Sequence, residues 1–224
     1  MNQPLLQPVV QRAAASGEAQ SRLLTAGAPL GSGWVKRAAL ASLACAMMIM
    51  SLSAAPGPQG WLGAALALLM FATAVSDARS LLIPNRLSLA AFLLALAAAA
   101  CDASQEFSPA FWLPAAQAIG FSLLRAAALG LAFLGMRALY SRLRGCEGIG
   151  LGDVKLAAVA GAWLDWLLMP VAVEVAALAG LAFYGLGLLA GRRPFSAAAR
   201  LPFGLFFAPA IWFCWLIQTG FFEF

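Results

Sequence analysis

Long stretches of apolar residues, separated by short polar links, constrain this chain more than any other feature. Most of them are close to the ~20 residues that a helix needs to cross a ~30 Å hydrocarbon core. Hydrophobic residues make up 63% of the 224 residues and charged residues only 10%, which leaves too few polar side chains to cover a water-soluble domain. The sequence therefore predicts an all-α, polytopic bundle of transmembrane helices with about six or seven spans.

Seven apolar stretches are candidates for these spans. The first follows Lys36 and Arg37 and ends before Pro56, because proline lacks an amide donor and clashes with the preceding helical turn. The residues before it, 1–33, are polar, small and rich in Gly, Ala and Ser, which predicts a flexible cytosolic tail ahead of a membrane-embedded domain at 34–224. The later stretches lie at about 60–78, 87–102, 112–139, 153–169, 170–190 and 204–222.

Lysine and arginine fall in alternate gaps between the stretches, and such basic loops stay on the cytosolic side of a membrane. The gaps around 56–60, 103–111 and 165–170 contain neither residue. The N-terminus is therefore predicted to be cytosolic, with Phe224 facing outward. Asp77, at the end of the second stretch, and Asp153, at the start of the fifth, then reach the same cytosolic face. The basic gaps contain Lys36, Arg37, Arg79, Arg86, Arg137, Arg142, Arg144, Arg192, Arg193 and Arg200.

The composition also excludes several classes of chemistry. The net charge of +5 is spread over short loops, which favours orientation in a bilayer over nucleic-acid binding. The chain has no histidine, so it lacks the catalytic pairs and zinc sites that need an imidazole. Its four cysteines form no CxxC pair, so neither a zinc knuckle nor a disulfide framework is indicated. Carboxylates remain as the acid–base groups.

Asp153 closes a glycine-rich run that includes Gly150 and Gly152 and precedes the fifth apolar stretch. Glycines at this density allow backbone conformations closed to other residues and the close approach of a peptide. One interpretation is helix capping, because Asp at the head of a helix accepts hydrogen bonds from unpaired amides. The other is a catalytic carboxylate at the membrane edge, and both roles can coexist.

Asp77 precedes the link that contains Pro84 and Asn85. Its carboxylate is either a solvated charge paired with a nearby arginine or part of a substrate-binding edge, since Pro84 prevents the helix from simply continuing. Asp77 lies at a helix C-terminus, where the helix dipole disfavours an anion, whereas Asp153 lies at a helix N-terminus. Helix position alone thus predicts that Asp77 is the more often protonated of the two.

Three motifs together resemble the type IV prepilin peptidase family, the aspartic proteases of the membrane interface. They are Asp77 followed by Ile83-Pro84-Asn85, the run Gly150-Leu151-Gly152-Asp153-Val154-Lys155-Leu156, and the late Leu201-Pro202-Phe203-Gly204. The resemblance covers roughly residues 60–215. It implies removal of the leader peptide from prepilins or pseudopilins at the cytosolic face of the bacterial inner membrane.

The resemblance assigns the catalytic roles to Asp77 and Asp153. It marks a further set of residues as substrate-binding or site-shaping, and Lys155 among them could instead extend to lipid headgroups. The larger members of the family carry a cytosolic insert with paired CxxC motifs and also N-methylate the new pilin terminus. This sequence is more similar to the compact, peptidase-only members of Flp/Tad pilus systems. The site-shaping residues are Pro84, Asn85, Gly150, Gly152, Lys155, Pro202 and Gly204.

Two carboxylates about 3 to 6 Å apart cannot readily both ionise, so one keeps a proton while the other takes a proton from water. This chemistry requires no metal or nucleotide cofactor. The expected partners are the pilin-like substrates and the lipid bilayer, while the sequence leaves the oligomeric state open. A small transporter or proton-coupled carrier is the alternative, because carriers also place acids and glycine breaks inside membranes.

Overall fold

The structure is a computed structural model, and it describes residues 32–55, 57–103, 112–145, 148–191 and 202–221. The predicted tail up to residue 31 and the basic residues Arg192, Arg193 and Arg200 lie outside these ranges. The described residues form seven α-helices, which confirms the predicted all-α bundle. The helices are α1 Ser32–Ala54, α2 Pro58–Ser80, α3 Asn85–Ala103, α4 Trp112–Arg144, α5 Leu151–Trp163, α6 Leu168–Leu189 and α7 Phe203–Phe221.

Six of these helices are long and apolar enough to cross a membrane, in agreement with the predicted six or seven spans. The exception is α5, whose 13 residues rise only about 20 Å. The part of α1 up to Leu43 belongs to one compact unit and the chain from Ala44 onward to another. The second unit contains the motifs described above.

Hydrogen bonds between helix termini define the two ends of this unit. At one end, where α2 finishes and α3, α5 and α7 begin, Asp77 accepts a hydrogen bond from Leu205. At the other end the side chain of Gln59, at the start of α2, bonds the Ala98 carbonyl near the end of α3. The short helix α5 therefore begins at the first end and, with the link that follows it, carries the chain toward the second.

The link between α2 and α3 reverses the chain direction beside Asp77. Leu81 has a left-handed conformation, with φ of 53°, and its amide bonds the Asp77 carbonyl at 2.9 Å. This closes the last turn of α2 in the way that usually calls for glycine. The Ser76 hydroxyl donates to the Leu82 carbonyl at 3.1 Å, and Pro84 then precedes the first residue of α3. The prediction that the helix stops before Pro84 is confirmed.

The predicted bounds of the fifth and sixth stretches are wrong. The chain leaves the helix at Leu164, whose backbone is extended, and α6 begins at Leu168 rather than at Pro170. Pro170 lies in the first turn of α6, where the missing amide costs little because first-turn amides have no partner within the helix. The link between them is held by polar contacts of Asp165, which the apolar pattern does not reveal.

Small residues let α5 pack closely against α4. A Cβ built on Gly161 would lie 2.4 Å from the Arg125 carbonyl oxygen and 2.9 Å from the Ala126 Cα. The Ser122 hydroxyl of α4 also donates to the Ala162 carbonyl at 2.6 Å. Backbone atoms cannot move aside as a flexible side chain can, so this contact requires glycine.

Gly161→Ala is therefore expected to destabilise the fold by about 1–3 kcal/mol, the usual cost of overpacking. The midpoint of thermal unfolding in detergent, followed by size-exclusion chromatography of heated samples, should fall by several degrees. Gly135→Ala on α4 is the matched control, because a Cβ there meets no atom within 4 Å. Equal midpoints for the two variants would contradict the close packing of α4 and α5.

Candidate active site

Asp77 is buried near the end of α2, with 5% of its surface exposed. Its Oδ2 atom accepts a hydrogen bond of 2.9 Å from the Leu205 amide, which lies in the first turn of α7. First-turn amides have no partner within their own helix and carry the positive end of the helix dipole. The Asp77 carboxylate therefore occupies the position of a capping anion at the N-terminus of a second helix.

Gly204 makes this contact possible. A Cβ at Gly204 would lie 3.0 Å from Asp77 Oδ2 and 2.8 Å from Ile83 Cδ1, so a larger residue would push the carboxylate away from the Leu205 amide. Pro202 begins the same turn, and its carbonyl accepts a second hydrogen bond from Leu205 at 3.2 Å. Pro202 and Gly204, the two residues of the late motif that were predicted to shape the site, thus position the donor to Asp77.

Asp153 lies in the first turn of α5 and is half-buried. The residue that precedes this helix is Gly150, and a backbone hydrogen bond from Gly150 stabilises the Asp153 carboxylate, as the capping interpretation expects of an acid at the head of a helix. The Asp153 amide also bonds the Gly150 carbonyl at 3.2 Å. A Cβ on Gly150 would lie 3.3 Å from Asp153 Oδ2, so the glycine leaves room for this carboxyl group.

Ile83 joins the surroundings of the two acids. Its side chain lies against Gly152, where an added Cβ would be 3.2 Å from Ile83 Cβ, and also against Gly204. Gly152 adjoins Asp153 and Gly204 contacts Asp77, so one apolar side chain packs between both halves of the site. Ile83 belongs to a predicted motif but not to the predicted site residues, although its place directly before Pro84 and Asn85 signals a fixed backbone.

Lys155 and Asn85 form a second connection between the motifs. The Lys155 ammonium donates to the Asn85 side-chain oxygen at 2.7 Å, which joins the first turns of α5 and α3. Lys155 therefore contacts another side chain of the protein and does not extend only to lipid headgroups. The contact fixes the link that carries Pro84 relative to the helix that carries Asp153.

Two residues of α4 that are not among the predicted site residues hold the segment before Asp153. The Arg137 guanidinium donates to the Ile149 carbonyl. The Tyr140 ring packs on Gly148, where a Cβ would lie 2.5 Å from the ring. Arg137 and Tyr140 are three residues apart and so share a helix face. That spacing, in the long helix before a glycine-rich run, is the signal that could have identified them.

The environments of the two carboxyl groups differ. Burial away from water raises the pKa of Asp153 to about 6, and the neighbouring negative charge of Asp77 contributes to the same shift. Asp77 alone of the two accepts a hydrogen bond from the first turn of α7. Burial and the negative charge of Asp77 therefore both favour the protonated form of Asp153, whereas helix position alone favoured protonation of Asp77.

All nine residues predicted for the site lie at the same end of the bundle. Asp77 ends one helix, Asp153 begins another, and the remaining seven belong to the links and first turns around them. Two carboxyl groups of unequal proton affinity can act together as a general base and a general acid on water. The arrangement is therefore suited to hydrolysis at the edge of a membrane.

Comparisons with known proteins find a matching family and several similar proteins. The sequence pattern of the type IV leader peptidase family matches residues 64–185, which contain Asp77 and Asp153. A prepilin leader peptidase/N-methyltransferase of Burkholderia pseudomallei is 49% identical over 70 residues, which cover 31% of this chain and 22% of that protein. Its counterpart in Aeromonas hydrophila is 41% identical over 73 residues, covering 33% and 24%.

A shorter relative aligns over more of its length. Leader peptidase HopD of Salmonella typhimurium is 31% identical over 136 residues, which cover 61% of this chain and 79% of HopD. The chain thus spans less than a quarter of the length of the Burkholderia and Aeromonas relatives but most of HopD. No solved structure matches the chain.

The pKa of Asp153 is expected to fall when Asp77→Asn removes the neighbouring charge, although burial keeps it above the ordinary range. Carbodiimides react with protonated carboxyl groups, so modification of Asp153, followed by mass spectrometry, should show a midpoint near pH 6. The midpoint should be lower in Asp77→Asn and unchanged in Glu174→Gln, an exposed position on α6. The same midpoint in all three proteins would show that the two carboxyl groups do not interact.

Proposed function

This chain belongs to the type IV leader peptidase family, and on that premise we propose that it is a membrane aspartic endopeptidase that removes the leader peptide from prepilins or pseudopilins. The observation that carries the proposal is the placement of Asp77 and Asp153, from separate helices, at one end of the bundle. The alternative of a small carrier is not favoured, because the relatives are named as leader peptidases.

The unequal environments of the two acids suggest their roles. Asp77, with its backbone donor, is the ionised partner and the general base that takes a proton from water. Asp153 holds the shared proton and donates it to the oxygen of the scissile carbonyl as the water attacks. As the C–N bond of the tetrahedral intermediate breaks, Asp77 gives the proton that it took from water to the leaving amine. Asp153 takes a proton back from a hydroxyl group of the intermediate, which becomes the product carboxyl group, and the pair returns to its starting state. The apparent titrations belong to the pair rather than to either residue.

The surroundings of the pair support the binding of an extended peptide. The glycines before Asp153 lack side chains, so a substrate backbone can approach closely. Ile83 supplies an apolar wall between Gly152 and Gly204. The remaining site-shaping residues act indirectly: Pro202 and Gly204 present the Leu205 amide to Asp77, and Lys155 with Asn85 fixes the two links.

The chain is a multi-pass membrane protein. We infer that it lies in the bacterial inner membrane with the aspartate end in the cytosol, because the basic residues gather in the gaps at that end. Arg79 and Arg144 belong to this group and lie in the last turns of α2 and α4. Cleavage would then take place at the cytosolic face, beside the bilayer that holds the pilin's own helix.

Asp77→Asn and Asp153→Asn are each expected to lower prepilin cleavage by at least about 100-fold, because an amide can neither accept nor return the proton. The measurement is a gel-shift assay of leader removal after co-expression with candidate pilins, at equal membrane levels of each variant. Glu174→Gln should cleave at the wild-type rate. Near-normal cleavage by either aspartate variant would exclude the pair.

We also propose that this chain cleaves without methylating. Its sequence lacks the paired CxxC motifs that accompany N-methylation in the larger members it resembles. A pilin processed by this chain alone should therefore have the mass of the cleaved polypeptide with an unmodified N-terminus. Intact-protein mass spectrometry checks this, and an added methyl group in the absence of any other enzyme would refute it.

A further inference from the structure

A polar cavity of about 400 Å³ lies at the end of the bundle opposite to the aspartates. Its walls come from α2, α3, α4, α5, α7 and the link between α5 and α6. Alanine and aromatic residues form much of the wall, but side chains from each of these segments except α5 are among the polar lining residues. The polar lining residues are Gln59, Asp102, Arg125, Asp165, Gln218 and Thr219.

Hydrogen bonds link these side chains into two groups. The Gln59 amide donates to the Asp102 carboxylate. The Arg125 guanidinium donates to the Asp165 carboxylate, and the Asp165 amide donates to the Gln218 side-chain oxygen at 3.0 Å. These bonds do not use all of the hydrogen-bonding capacity of the side chains. The buried Arg125 Nε has no partner, and the Asp165 side chain is 55% exposed.

The depth of the Arg125–Asp165 pair follows from the helices that carry it. Asp165 follows Asp153 by twelve residues, or about 18 Å along a helix. Arg125 precedes Arg137 by the same twelve residues of α4, and Arg137 contacts the segment next to Asp153. If the aspartate end lies at one membrane surface, both estimates place the pair about 18 Å below that surface. The pair then lies about 12 Å from the other surface of a ~30 Å core.

Hydrocarbon cannot surround such a site. A half-exposed carboxylate in lipid is costly, and residues 164–167 leave the helix at the same depth. Non-helical backbone is tolerated there only where protein buries it or where it lines a water-filled cavity. Two separate observations, a charged pair with unused hydrogen-bonding capacity and a non-helical link, thus lead to the same requirement for water.

We propose that this cavity is a water-filled recess that enters the bilayer from the side opposite to Asp77 and Asp153. Water in the recess completes the hydrogen bonding of Arg125 and hydrates the carboxylates of Asp102 and Asp165. The recess also explains how a helix as short as α5 can reach water on the far side, because the water in the recess lies deeper than the membrane surface on that side. The inference does not depend on the peptidase activity.

Cysteine accessibility tests the recess, with a matched pair of positions on α3. Ala99 lines the cavity, whereas Ala97 does not and is the more exposed of the two in the protein alone. Both lie at nearly the same depth, about 18–21 Å from Asn85 along the helix. Each of the two alanines is replaced by cysteine in a background in which the native cysteines are replaced by alanine. The native cysteines are Cys45, Cys101, Cys146 and Cys214.

The probe is the small, membrane-impermeant reagent trimethylammonioethyl methanethiosulfonate, applied to right-side-out and inverted membrane vesicles. Ser80→Cys, exposed at the end of α2, marks the aspartate side. Ala99→Cys should be modified only from the side opposite to Ser80→Cys, with Ala97→Cys at least tenfold slower because lipid covers it. Ala118→Cys, on the cavity wall of α4, should behave like Ala99→Cys and serves if the latter fails to fold.

Protection of both cavity positions from both sides would overturn the recess, since a dry cavity excludes the reagent. Equal modification of Ala97→Cys and Ala99→Cys would also overturn the recess, because both positions would then lie outside the hydrocarbon core. Vesicle labelling requires no substrate, so loss of peptidase activity cannot be mistaken for loss of the recess.

Discussion

The hydrogen bond between the Leu205 amide and Asp77 Oδ2 joins residues 128 positions apart in the chain, and the rest of the site depends on it. It places a buried carboxylate at the start of α7, where an anion is favoured, although Asp77 itself ends another helix. Gly204 provides the space for this contact. The two acids thus lie at the same end of the bundle with different backbone donors, Leu205 for Asp77 and Gly150 for Asp153.

The short helix α5 links this chemistry to the membrane. Its first turn carries Asp153, its middle packs on α4 through Gly161, and the link beyond it contains Asp165. A longer helix in this place would bury the far link in lipid or push Asp153 out of the bundle. The polar contacts at its far end and the contacts of Lys155 at its near end therefore support the position of Asp153 from both sides.

The sequence predicted the bundle and the meeting of Asp77 with Asp153, because apolar length and the alternation of basic gaps both act over whole segments. It failed where a single long-range contact decides the outcome. The hydrogen bond from the Leu205 amide to Asp77, and the polar contacts of Asp165 just beyond the end of α5, both join residues that are far apart in the sequence. Gln59, Asp102 and Gln218 each resemble an ordinary polar residue at a helix end, so only the packed helices reveal their shared cavity.

The measurement that bears most directly on the pairing of the two acids is a cross-link between their positions in native membranes. The double variant Asp77→Cys with Asp153→Cys, in the background free of native cysteines, is treated with a short bifunctional methanethiosulfonate and assayed by electrophoretic mobility after proteolysis between the two positions. The pair should cross-link efficiently, whereas Asp77→Cys with Asp165→Cys should not, because Asp165 lies at the opposite end of the bundle. No cross-link between positions 77 and 153, or equal cross-linking of the two pairs, would contradict a shared site.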